Sequence, residues 1–107
     1  MGKRRIPEKQ GGEPSDSLLS SVVVDEVDLH GLDGRMAEGR LEMFLQRCTA
    51  SHPGAVVRVI TGLGNRSEGD AILKPLVGRL LTGRLARYVT RFTMDSGGGA
   101  YRLKLGE

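Results

Sequence analysis

Val22-Val-Val-Asp-Glu-Val-Asp-Leu-His30 opens the patterned part of the chain. Its β-branched start, and the alternation of Val27 and Leu29 with Asp28 and His30, predict a strand. Gly31 ends it, and Asp33 stands where a carboxylate accepts the unpaired N–H groups of a helix's first turn. From there Ala37, Leu41, Phe44, Leu45 and Cys48 recur at helical spacing as one apolar stripe, with Arg35, Glu38, Glu42, Gln46 and Arg47 off it. Pro53-Gly54 stops that helix.

Downstream the pattern repeats without any repeat of sequence. Ala55-Val-Val-Arg-Val-Ile60 is nearly all apolar, as a strand covered on both faces would be. Thr61-Gly-Leu-Gly-Asn-Arg-Ser67 is a loop, and Ser67 with Asp70 has capping-box-like spacing. A second helix follows, with Ile72, Leu73, Leu76, Val77, Leu80 and Leu81 as its buried side and Gly83 as its end. Pro75 is comfortable only in a first turn, so this helix either begins near Lys74 or is kinked there. Tyr88–Met94 and Ala100–Leu105 read as two strands joined through Gly97-Gly98-Gly99, hence antiparallel. The order βαβαββ describes an α/β chain of the α+β two-layer kind: a four-stranded mixed sheet with two helices on one side, set by right-handed crossovers.

Upstream, residues 1–20 are rich in Gly, Pro, Ser, Lys and Glu and predict a disordered basic and polar tail, leaving 21–107 as one domain. A basic start with no apolar run behind it is not a secretory signal, and no stretch is long and apolar enough to span a bilayer. A single cysteine, Cys48, on the apolar stripe reads as a small core residue and suits a reducing, cytoplasmic setting. Net charge is +3, but residues 54–104 hold nine Lys and Arg against Glu68, Asp70 and Asp95. Clustered arginine suits phosphate, and it equally suits an ordinary solvated face. With only Phe44, Phe92, Tyr88 and Tyr101, an aromatic platform for stacking bases is not expected, although Tyr101 could stack one.

Three stretches together resemble the Smr (small MutS-related) family. They are Val27-Asp-Leu-His-Gly-Leu32, similar to its L-D-L-H-G-L signature; Ile60-Thr-Gly-Leu-Gly-Asn-Arg-Ser67, similar to its [HT]-G-x-G loop; and the glycine-rich hairpin Gly97–Leu105. The resemblance spans about residues 22–106 and implies a fold like the C-terminal domain of a bacterial translation initiation factor. It also implies handling of nucleic acid: some members are nucleases on DNA or RNA, and some act on stalled ribosomes. Thr61 stands where many relatives carry His, and Leu63 where many carry Lys.

Taken alone, His30 reads as a ring that fills space at a strand end and bonds a backbone carbonyl; within the resemblance it has the chemistry of a functional residue. Asp28 and His30 share one face of the first strand, and imidazole exchanges protons near neutral pH. His30 could take a proton from a 2′-hydroxyl or a water while Asp28 orients the ring. Two residues apart is ~6.6 Å along a strand, so a direct bond requires a bend. A water or a divalent metal such as magnesium between them would also serve, though two ligands do not define a metal site. Thr61, Gly62, Gly64, Asn65, Arg66 and Ser67 form a glycine loop before a helix N-terminus, where backbone N–H groups could meet a phosphate. Arg102 and Lys104 share a face of the last strand and could extend that contact. Taken with the resemblance, these residues imply an endonuclease centre. The alternatives are a non-catalytic module that binds nucleic acid or the ribosome, and a domain that only contacts proteins.

Overall fold

The computed structural model describes residues 18–63 and 68–107. In chain order the elements are β1 (Val23–Asp28), α1 (Gly34–Ser51), β2 (Val56–Ile60), α2 (Glu68–Thr82), a 3₁₀ turn (Ala86–Tyr88), β3 (Val89–Met94) and β4 (Ala100–Leu105). The sheet order is β1-β2-β4-β3. β1 and β2 are parallel, joined by α1, and β4 runs antiparallel to both β2 and β3. The expected mixed four-stranded sheet is therefore present, with a helical turn at 18–20 beside the two long helices.

Both helices cover one face of the sheet. Val57 and Val59 of β2 and Leu103 and Leu105 of β4 pack in one cluster with Ala37, Leu41, Phe44, Leu45 and Cys48 of α1 and Leu73, Val77, Leu80 and Leu81 of α2. The two amphipathic stripes read from the sequence thus meet over the same strands, which is how a helix buries its apolar side. Asp33 caps α1 as expected, its carboxylate accepting the Met36 N–H at 2.8 Å. Ile72 departs from expectation: it lies at the margin of the α2 stripe and is 55% exposed.

Helix α2 continues through Pro75, so it does not begin near Lys74. The proline removes the N–H that would bond the Ala71 carbonyl, at a turn where Ala71 is exposed. Inside, the Tyr101 hydroxyl donates to the Lys74 carbonyl at 2.9 Å. Its ring meets Phe92 edge-on with centroids 5.7 Å apart. Gly78 makes this approach feasible, since a Cβ there would lie 3.0 Å from the hydroxyl oxygen. Tyr101 is a core residue, buried against α2, and is not placed to stack a base.

The helix-free face of the sheet carries charge. Arg58 bonds Asp95 at 2.7 Å and Glu26 at 3.2 Å, and Arg102 lies 3.4 Å from Asp95. The Arg102 guanidinium also donates to the carbonyls of Leu18, Leu19 and Ser21 at 3.0–3.3 Å, the usual service of a cation at a helix C-terminus. Leu18 is buried, so the packed chain reaches back into the stretch expected to be tail; residues 1–17 lie outside the described residues. Among the described residues no helix is long and apolar enough to cross a membrane.

Candidate functional site

Parallel pairing of β1 and β2 aligns Asp28 with Ile60, so the segments after the two strands leave the sheet side by side. The pairing extends one residue further, where the Leu29 N–H donates to the Ile60 carbonyl at 2.8 Å with Leu29 fully buried. The chain then reverses: Leu32 N–H bonds the Leu29 carbonyl at 3.1 Å, and Gly31 adopts φ +83°, the left-handed value this turn needs at its third residue. That turn folds the His30 ring back onto Asp28. Nδ1 of His30 lies 2.6 Å from Oδ1 of Asp28, and the His30 backbone N–H donates to the same oxygen at 3.0 Å.

The bend supplies the direct contact that an extended strand would deny. It also removes any room for a water or metal between the two atoms. Among the described residues no three His, Cys, Asp or Glu side chains are grouped to hold a metal ion, so the donors present do not make up a metal site. Partial burial pushes the Asp28 carboxyl up, but the hydrogen bonds from the His30 ring and backbone, with the ring's charge, outweigh it and hold Asp28 below the ordinary carboxylate value. Both side chains remain open to solvent, His30 at 60% and Asp28 at 51%.

The second strand's loop meets this pair at the same sheet edge, and it differs from expectation in what it offers. The N–H groups of Thr61 and Gly62 both donate to the Gly99 carbonyl at 3.0 Å. Thr61 is fully buried, and its hydroxyl faces the Gly62 and Gly99 carbonyls at 3.2 and 3.5 Å. Neither Thr61 nor the Gly62 amide is therefore turned toward a ligand, because both are used in joining the loop to the β3–β4 hairpin. Gly62 is needed for its φ of +89°. Gly64, Asn65, Arg66 and Ser67 lie outside the described residues.

Arg102 and Lys104 also depart from expectation. β4 is an inner strand, not an edge, and each cation is committed to backbone: Arg102 to residues 18–21, and Lys104 to the Gly54 carbonyl. Lys104 pairs with Val56 at the far end of β2, away from His30. A residue that sequence reasoning missed takes their place. Lys74 of α2 donates to the Leu63 carbonyl at 3.2 Å, bringing an ammonium to the loop. Its only sequence signal is a lysine nearly two turns into the helix that follows a glycine loop. Leu63 itself is 56% exposed.

Asp28 and His30 thus follow β1, and Leu63 with its bonded Lys74 follows β2, at the same end of the parallel pair. The fold is shared with known proteins. A family model described as Smr domain matches residues 27–105. The chain is 32% identical to the B3BP Smr domain in its solution structure, over 75% of this chain and 76% of that one, with a TM-score of 0.58. It is 30% identical to the human small-MutS related domain in a crystal structure, over 74% and 98%, with a TM-score of 0.55. It is likewise 30% identical to the SMR domain of NEDD4-binding protein 2 in solution, over 82% and 91%, with a TM-score of 0.59. A search of curated proteins returned no match.

Proposed function

The chain belongs to the Smr domain family, and from that premise and the edge geometry we propose that it binds nucleic acid and cleaves its phosphodiester backbone at His30. The observation that carries this reading is the 2.6 Å Asp28–His30 bond on a solvent-open edge. A carboxylate on Nδ1 fixes the ring's tautomer and stabilises its protonated form, which is what a general base requires when it takes up a proton. His30 removes a proton from a 2′-hydroxyl or a water as that oxygen attacks phosphorus. The bond from phosphorus to the leaving oxygen breaks, and the protonated ring or solvent returns the proton to it. Lys74 and the basic half of the chain favour a polyanion at this edge.

A second reading keeps binding and drops cleavage: a module for nucleic acid or the ribosome. The commitment of the Thr61 and Gly62 amides to Gly99 favours it, because those donors do not serve a reacting phosphate. Incubating the protein with labelled single- and double-stranded RNA and DNA, with and without magnesium, separates the two. Cleavage lost in His30→Ala supports the nuclease, and cleavage that survives it removes His30 from the chemistry. Salt-sensitive binding without cleavage supports the module, and failure to bind at low salt leaves a protein-contacting domain.

A further inference from the structure

A groove of about 360 Å³ runs between the free edge of β1 and the exposed side of α1, lined by Glu26, Val27, Arg40, Met43, Phe44 and Arg47. Val27 immediately precedes Asp28 in the chain, so the groove lies along the same strand that leads to the Asp28–His30 pair. On the helix, Met36, Arg40, Met43 and Arg47 follow one another at spacings of three and four and form a single stripe. Met36 is 54% and Met43 68% exposed. We infer that this groove seats a single nucleic-acid strand flanking the phosphate at His30, with Arg40 and Arg47 on its backbone and Met43 against a base.

Charge and shape favour this occupant. Arg40 makes no ion pair among the described residues, and Arg47 reaches Asp25 only at 3.9 Å with 64% of its side chain exposed. Glu26, the one acid lining the groove, is already opposed by Arg58. The two arginines sit seven residues apart on one helix face, ~10 Å along the axis, a span that a few nucleotides cover. Two planar guanidinium forks match phosphate edges, while polarizable thioethers between them suit the faces of unstacked bases. Base faces are offered by a single strand and hidden in a duplex. A peptide adding to the β1 edge fits less well, because the register of β1 shifts between Val23 and Asp25 and Asp25 and Glu26 stand on the strand, both devices that blunt an edge.

This rests on nucleic acid being the ligand of the Asp28–His30 edge, so the test reads binding and cleavage apart. Binding is measured by fluorescence anisotropy of a short single-stranded RNA, and of a blunt duplex, on the full chain carrying His30→Ala. Adding Arg40→Gln with Arg47→Gln weakens single-strand binding about tenfold and lowers the slope of log affinity against log salt by ~1.4, two phosphates' worth. Met43→Ser weakens it several-fold with the slope unchanged. Arg79→Gln with Arg87→Gln, the same charge loss placed on α2 and the 3₁₀ turn, leaves the slope within error of the parent. Equal losses in both double variants, an unchanged slope, no binding to any strand, or stronger binding of a poly-glutamate peptide than of RNA would each overturn the groove. Cleavage is followed separately with His30 intact. A protein that cuts normally while Arg40 and Arg47 prove irrelevant to affinity keeps the nuclease reading and loses the groove; one that never cuts but shows the slope change keeps the groove and loses the nuclease.

Discussion

The Asp28–His30 pair and the Arg58–Asp95–Arg102 cluster are both opposite charges brought together by sheet geometry, and they differ in who sees them. Asp95 is 13% exposed, Arg102 19% and Arg58 33%, against 51% and 60% for Asp28 and His30. In the cluster every charge is answered by another side chain or by the carbonyls of residues 18–21, so its contribution is to hold the helix-free face together. In the pair, a single carboxylate oxygen takes both the ring and the backbone N–H of its partner, and the imidazole remains in solvent. A shielded, hydrogen-bonded ion pair such as Arg58–Asp95 is felt in stability; exposed pairs contribute little to it. The same kind of contact is thus enclosed in one place and left open to solvent in the other.

The sharpest way to break this distinction is His30→Ala. Cleavage should fall by at least about a hundredfold, measured as initial rate on labelled RNA or DNA, while the melting temperature shows a stability change within ~0.5 kcal/mol. A large loss of stability would place His30 with the enclosed cluster. Next comes Asp95→Asn, which leaves Arg58 and Arg102 facing each other without their shared carboxylate. Thermal unfolding should register about 2 kcal/mol of destabilisation, or roughly 10 °C, with little change in cleavage per folded molecule. Its pH dependence comes from the lowered Asp95 carboxyl, held down chiefly by the Arg58 hydrogen bond. Because the folded value lies below the unfolded one, this stabilisation is complete above the unfolded carboxyl range and is lost as pH falls through the folded value. Urea titrations across acid pH should therefore show a shallower acid loss in Asp95→Asn than in the parent.

Smaller effects sharpen the comparison. Gly31→Ala forces an L-residue into φ +83°, with nothing crowding the new methyl group, so it should cost ~1 kcal/mol by denaturant melt. Since that turn seats the imidazole on Asp28, cleavage should drop more than stability does. Glu26→Gln removes the outermost limb of the cluster, a pair whose acid is 54% exposed. It should shift stability by no more than ~0.5 kcal/mol.

Local chemistry was legible in the sequence and long-range placement was not. The Asp33 cap, the α1 stripe and the glycine hairpin are each decided within a few residues, and all are present as expected. The position of β4 between β2 and β3 depends on pairing across some forty residues, which periodicity does not encode. From that one fact comes the placement of Arg102 and Lys104: on an inner strand their long side chains reach backbone carbonyls. Thr61 looks like a loop hydroxyl in the sequence and becomes buried because Gly99 arrives against it. Asp28 and His30 were recognisable as partners, but their separation was fixed by the turn at Gly31, whose closure also requires Leu29 to be anchored on Ile60.

The double grip of Gly99 on Thr61 and Gly62 bears on when the molecule becomes competent. β4 is the last strand to be synthesised and lies in the middle of the sheet, so an emerging chain holds Asp28 and His30 long before anything fastens the neighbouring loop. Domains fold as units as they leave the ribosome, and here the unit stays open until its closing hairpin has been delivered. Until then Asp28 and His30 stand beside a loop whose two anchoring amides have no Gly99 carbonyl to meet.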